Sequence, residues 1–168
     1  MAKTSGGVRE SRPSYKIKKP RKTASQKIAD VIADIDRDGF SRASPFAIGR
    51  VEKRMKEFAE REGIILASDS IYMRPHDIAH ALRDDKKAKG ISVSSDELKE
   101  FPRKKSRMDL YFDKDDGKFV YTNGVAKFII SPNYQIKLNR NKIRVINFIT
   151  ATRISDDSEF NLVKYQKI

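Results

Sequence analysis

At Met108 the spacing of apolar residues changes from three or four to two, and no other feature constrains the fold as much. Upstream, "TASQKIADVIADIDRDG" carries Ile28, Ile32 and Ile35 at helical spacing, with Ser25 placed to cap the helix and Gly39 to end it. "SPFAIGRVEKRMKEFAEREG" predicts a second helix, with Ser44 as cap and Pro45 at the tolerated first position. Its stripe is Ile48, Val51, Met55, Phe58 and Ala59, and Gly63 closes it. "IILAS" is a short strand or a connection. A third helix is expected from about His76 to Ala88, ended by Gly90. "SSDELKEFP" gives a short fourth, capped by Ser94 or Ser95 and stopped by Pro102.

Downstream of the change, "MDLYFD" sets Met108, Leu110 and Phe112 against Asp109, Tyr111 and Asp113, and "KDDGK" supplies a hairpin turn. "KFVYT", Asn123-Gly124 and "VAKFIIS" predict a second hairpin. A loop, "PNYQIKLNRNK", then leads into "IRVINFITATRI", the longest strand candidate, and "EFNLVKYQKI" is a last strand or a short helix. Helices first and strands afterwards predict an α+β fold, with N-terminal helices packed on an antiparallel sheet of four or more strands.

The 168 residues suffice for one domain with a core, and 38% hydrophobic against 35% charged residues predicts a modest core under a heavily charged surface. We expect a basic tail over residues 1–24 and a single α+β domain over 25–168. The first 27 residues hold nine Lys/Arg against Glu10 alone, a net of +8, which leaves +5 of the total +13 for the rest. A basic tail rich in Ser, Gly and Pro favours polyanions through counterion release, without sequence preference. Solubilisation is the plainer role for it. Cysteine is absent, which excludes disulfides, thiolate zinc sites and a cysteine nucleophile. No apolar run approaches the roughly 20 residues of a membrane span, and no apolar segment follows the basic N-terminus as in a secretory signal.

His76 and His80, the only histidines, lie four residues apart in "PHDIAHALRDDKK". On a continuous helix His76, His80 and Arg83 share the side opposite Ile78, Ala79, Ala81 and Leu82, with Lys86 and Lys87 a turn further on. Two histidines at this spacing can share a metal, but Asp77 stands where the zinc-protease motif has Glu, and no third ligand lies nearby in sequence. Asp34, Asp36 and Asp38 lack the closing glutamate of a calcium loop and fall at the end of a helix. We therefore expect neither metal nor cofactor. The plain account of the histidines is a solvated helix face. The sharper one is that imidazoles beside fixed cations supply what 2′-hydroxyl attack on a phosphodiester needs: proton acceptor, proton donor and charge on the phosphorane.

Strand tyrosines Tyr72, Tyr111, Tyr121 and Tyr134 are candidates for base stacking, although packing at the core edge accounts for Tyr111 and Tyr121 more simply. Lys127, in mid-strand, and Lys137, Arg140, Lys142 and Arg144, in the loop before the long strand, are candidate nucleic-acid contacts. A solvated face explains Lys127 equally well. "PRKKSR" is expected as an exposed turn.

The segment "HALRDDKKAKGISVSSDELKEFP" resembles the H-x-x-R-x-x-K helix and following region of the phage Barnase–EndoU–Colicin E5/D–RelE-like nucleases. "MDLYFD…KFVYT…AKFIISP…VINFITATRI" is similar to that family's sheet, which often ends in a strand with a hydroxyl residue. The likeness spans about residues 64–154. It implies a metal-independent endoribonuclease that leaves a 2′,3′-cyclic phosphate. His80, Arg83 and Lys86 then match the acid/base and phosphate-binding positions, and Thr150 or Thr152 the late-strand hydroxyl. His76, one turn earlier, is a second acid/base partner or only a neighbour. The implied partners are RNA, transfer RNA among the candidates, and an immunity or antitoxin protein. The implied setting is the host bacterial cytoplasm or a phage particle. The alternatives are an inactive nucleic-acid-binding relative and a virion structural protein. Thr150 and Thr152 alternate in phase with Ile146 and Phe148, so burial competes with a place in a cleft.

Overall fold

A computed structural model describes residues 20–154, 156 and 158–168, with the Asp85 side chain excluded. Most of the expected basic tail, residues 1–19, lies outside the described residues. The order is α1 (Ala24–Asp38), β1 (Phe46–Arg50), α2 (Lys53–Glu62), β2 (Ser70–Met73), α3 (Pro75–Ala81), α4 (Asp84–Ala88) and α5 (Ser95–Lys104). The remaining strands are β3 (Asp109–Asp113), β4 (Lys118–Thr122), β5 (Ala126–Leu138), β6 (Asn141–Arg153) and β7 (Tyr165–Lys167). The strands form one sheet in the order β1-β2-β6-β5-β4-β3-β7. The β3–β6 meander is antiparallel throughout, and β2 runs parallel to β6. The fold is α+β, as the period change requires. No helix among the described residues is long and apolar enough to cross a membrane.

Helices α1, α2 and α5 cover one face of the sheet. Phe101 of α5 stacks on Phe128 of β5 at 4.3 Å between ring centroids and meets Tyr121 edge-on at 5.5 Å. Phe58 of α2 packs against Phe112 and Phe119. Tyr121 is therefore a core residue, and its hydroxyl donates to Glu52 at 3.0 Å. Burial, reinforced by the Glu52 charge, pushes that hydroxyl far above the usual tyrosine range. Tyr111 stacks on Phe160 at 4.6 Å. Both are occupied by packing.

Several local expectations fail for tertiary reasons. The cap of α1 is Thr23, which forms a capping box with Gln26, while the Ser25 hydroxyl donates to the Lys99 carbonyl of α5. The helix expected from Ser44 begins only at Lys53. Phe46 and Ile48 alternate inward on a strand that pairs with β2, Ile48 falling at a register shift, so an apolar stripe compatible with both periods resolves as strand and then helix. β2 lies just past "IILAS", which is itself a connection whose Ala67 N–H donates to the Pro132 carbonyl. Pro102 sits inside α5 rather than ending it, and burial of Leu98 and Phe101 outweighs its missing donor. "PRKKSR" is not simply exposed: Lys105 is buried, ion-paired with Glu52, and donates to the Arg50 carbonyl at 2.8 Å. The loop expected over 132–142 is continuous hairpin, β5 running to Leu138 and β6 starting at Asn141.

The Ser94 cap holds. Its hydroxyl accepts from Glu97 N–H while the Glu97 carboxylate accepts from Ser94 N–H, closing a capping box at the start of α5. Ser94→Ala should cost about 1 kcal/mol, read as a shift in the chemical-denaturation midpoint. An unchanged midpoint would show that Phe101 and Leu98 alone seat this helix.

Candidate functional site

The helix expected over 76–88 is two helices. α3 stops at Ala81, Leu82 turns out of helical geometry (φ −104°, ψ 9°), and α4 restarts at Asp84. The break changes what Lys86 can reach. On one continuous helix it would lie about 120° round from His80, on the Leu82 side. Instead it is only 6% exposed, and its Nζ donates to Thr150 Oγ1 at 2.6 Å and to the Ala151 carbonyl at 3.0 Å. β2 ends at Met73 while β6 continues to Arg153, so the 74–91 segment covers the open edge of β6. The Arg153 N–H donates to the Ile91 carbonyl at 2.8 Å, which closes that edge.

A bulge in β6 decides the threonines. Phe148 pairs with Ile130, but Thr150 pairs with Ile129, which leaves Ile149 as the extra residue. The phase slips by one. Ala151 takes the buried position in line with Phe148, and Thr150 and Thr152 turn to the face away from α1, α2 and α5. Reading them in phase with Ile146 and Phe148 is thereby corrected. Thr152 spends its hydroxyl on the Ile91 carbonyl at 2.9 Å. Thr150 accepts from Lys86 at 2.6 Å, which leaves its own proton to donate.

His80 is partly exposed, and its Nδ1 lies 3.2 Å from Arg83 Nη1. A guanidinium can only donate, so in this contact Nδ1 is the acceptor and the imidazole is neutral. The electrostatics agree: burial, then the charges of Arg83, Lys86 and His76, hold the His80 pKa below its ordinary 6.5, against an opposing pull from Asp77. His76 is exposed on the first turn of α3. Arg83 also borders a groove of about 430 Å³ between α1 and the helix break, with Asp84 and Lys87.

The sequence reading did not identify what anchors this arrangement. Asp77 is buried, and its carboxylate accepts from Arg74 N at 3.0 Å, Arg74 Nε at 2.9 Å, Arg74 Nη2 at 2.8 Å and Asn147 Nδ2 at 3.1 Å. Asn147 lies in β6, so Asp77 ties the start of α3 to the strand carrying Thr150. The Arg74 guanidinium in turn lies over the Tyr134 ring, 5.1 Å from its centroid. Two signals were available in the sequence: an Asp three residues after Arg74 at a helix start, and one amide inside the apolar run "VINFI". The Asn147 Oδ1 is the one buried side-chain polar atom without a hydrogen bond among the described residues.

The other candidates lie elsewhere. Lys127 pairs with Glu159 and is held by the C-terminal segment. Lys137, Lys142 and Arg144 are exposed on the far half of the β5–β6 hairpin, and Arg140 is at its tip. Among the described residues no three His, Asp or Glu side chains lie close enough to share a metal ion. His80 pairs with Arg83 and Lys86 with Thr150, and the Lys86 charge reaches His80; Thr152 and Lys127 make their contacts elsewhere. No family model, no curated protein and no solved structure matches this chain.

Proposed function

We propose that the protein is a metal-independent endoribonuclease acting through 2′-hydroxyl attack. One observation carries this reading: a neutral imidazole held by a guanidinium lies near enough to Lys86 to feel its charge, and Lys86 in turn holds the Thr150 hydroxyl. Arg83 is drawn from His80 onto the scissile phosphate, which releases Nδ1 to take the 2′-hydroxyl proton. The 2′-oxygen then attacks phosphorus, and the 5′-oxygen leaves with a proton for which His76 is the candidate donor. The Thr150 hydroxyl, polarised by Lys86, donates to a phosphoryl oxygen as charge grows on the phosphorane. Lys86, being buried, acts through Thr150 rather than on substrate directly.

RNA incubated with the protein in excess EDTA should be cut to 2′,3′-cyclic phosphate and 5′-hydroxyl ends, and RNA with 2′-O-methyl sugars should stay intact. Equal cleavage of DNA, which has no 2′-hydroxyl, would overturn the mechanism. The exposed hairpin cations also favour a second reading, a nucleic-acid-binding protein without catalysis. RNA bound but left uncut by a folded protein, on transfer RNA and on mixed cellular RNA, would select that one.

A further inference from the structure

Beyond the sheet proper, the β5–β6 hairpin continues as a two-stranded arm. β4 pairs with β5 only over Lys127–Ile130, and β2 pairs with β6 only at Ile146 and Asn147. Residues 134–138 and 141–145 pair with each other and with no other strand among the described residues. The arm is two-sided. Tyr134, Ile136, Leu138, Ile143 and Val145 share one face, with Ile136 and Val145 buried. Gln135, Lys137, Lys142 and Arg144 share the other, with all three cations exposed.

Three details of the cationic face are costly for the fold alone. Lys137 stands directly opposite Lys142, a like-charge pair that weakens a hairpin. The turn places two non-glycine residues in left-handed backbone, Asn139 at φ 51° and Arg140 at φ 69°. Asparagine tolerates that region, whereas arginine is strained in it. And the stretch from Pro132 to Arg144 holds four cations and no Asp or Glu. Arg144 is moreover held in place, Nε donating to Asn133 Oδ1 at 2.6 Å and Nη2 to the Asn133 carbonyl at 2.9 Å.

We propose that this arm grips the phosphate backbone of a double-helical RNA stem and gives the protein its preference for structured RNA. The proposal rests on the RNA reading above and adds the substrate class. Charge complementarity names phosphates. The choice of a duplex follows from what the face lacks. Single-strand binders pair their cations with aromatic rings on which bases stack, but the arm's only aromatic, Tyr134, lies on the opposite face under Arg74. A helix whose bases are already stacked asks only for phosphate and sugar contacts, which is how A-form RNA is held. Thr150 lies eight positions beyond Lys142 on β6, at most about 26 Å at 3.3 Å per residue. A stem held by the arm would thus leave its loop or flank within reach of His80.

The test measures binding by fluorescence anisotropy, in a His80→Ala background that keeps RNA intact. The probes are an RNA stem of about 20 base pairs, a single-stranded RNA and a DNA duplex of equal length. The triple variant Lys137→Ser, Lys142→Ser, Arg144→Gln should lose at least about tenfold in stem affinity at 0.1 M salt. The slope of log K against log salt should become shallower by about 2 to 3, near 0.9 for each phosphate no longer neutralised. Because the like-charge pair is relieved, its melting temperature should hold or rise. The single variant Lys142→Gln, whose slope should fall by about one unit, covers the case in which the triple variant unfolds. An unchanged slope, or single strands or DNA bound as tightly as the RNA stem, overturns the proposal. A wild-type chain that binds stems through the arm but never cuts RNA keeps it while removing the nuclease reading, and cleavage without arm-dependent affinity does the reverse.

Discussion

His80→Ala should lower RNA cleavage by about 10²–10⁴-fold, the range for removing a positioned proton acceptor, with little change in stability. The side chain is partly exposed and, among the described residues, its polar contact is Arg83. The wild-type pH profile supplies the sign. A base works only when neutral, so kcat/KM rises with pH as His80 deprotonates. Because burial and then Arg83, Lys86 and His76 depress its pKa, the midpoint of the acid limb should lie below pH 6.5. Arg83→Gln removes one of the depressing charges and should move that limb to higher pH while reducing the maximal rate. A limb that stays in place would mean that His80 is not the titrating base. A His80→Ala protein that cuts as fast as wild type would remove it from the mechanism altogether.

The largest effect on stability should come from Asp77→Ala, a loss of about 3 kcal/mol or more. Its carboxylate is buried under four donors, and their removal strands the Arg74 guanidinium and the Asn147 amide together. For a chain of this size that corresponds to a melting temperature lower by roughly 6–12 °C. Arg74 is itself about a quarter exposed, so water recovers part of its loss and the upper end of the buried-pair range is not reached. Asp77→Asn keeps an acceptor and should cost less than Asp77→Ala. Equal stability of wild type and Asp77→Ala by denaturant titration would show that α3 is seated by Ile78 and Ala81 alone. If Asp77→Asn folds but cleaves slowly, with the loss in kcat rather than KM, Asp77 positions His80 against Thr150.

Much of the fold was legible because local pattern and tertiary demand agreed. The capping box at Ser94, the glycine ends of α1 and α2, and the β3–β4 hairpin all hold, although Asp113 is buried where alternation put it outside. They failed to agree where one stripe served two periods: Ile48 and Val51 fit a helix with Met55 and Phe58, yet Phe46–Arg50 pairs as a strand with β2. The cluster was legible to a similar degree. Two histidines four apart among cations marked α3, but helical spacing could not show that Lys86 reaches Thr150, because nothing local announces a break at Leu82. It arises where the chain must follow the edge of β6.

By itself, then, the sequence determined the α+β order, the cationic excess, the absence of thiol chemistry and the residue types of the candidate site. All of these rest on composition and on contacts within a few residues. The tertiary structure alone decided that Lys86 is buried on Thr150, that Thr152 closes a strand edge and that Asp77 locks helix to strand. Each of these joins residues at least 61 positions apart, and the two threonines depend besides on a bulge that slips the register by one. The tertiary structure also turned an expected loop into a cationic arm, by extending the β5–β6 pairing past the rest of the sheet. Such pairings are selected by the burial and hydrogen bonding of the whole sheet, which no window of the chain contains.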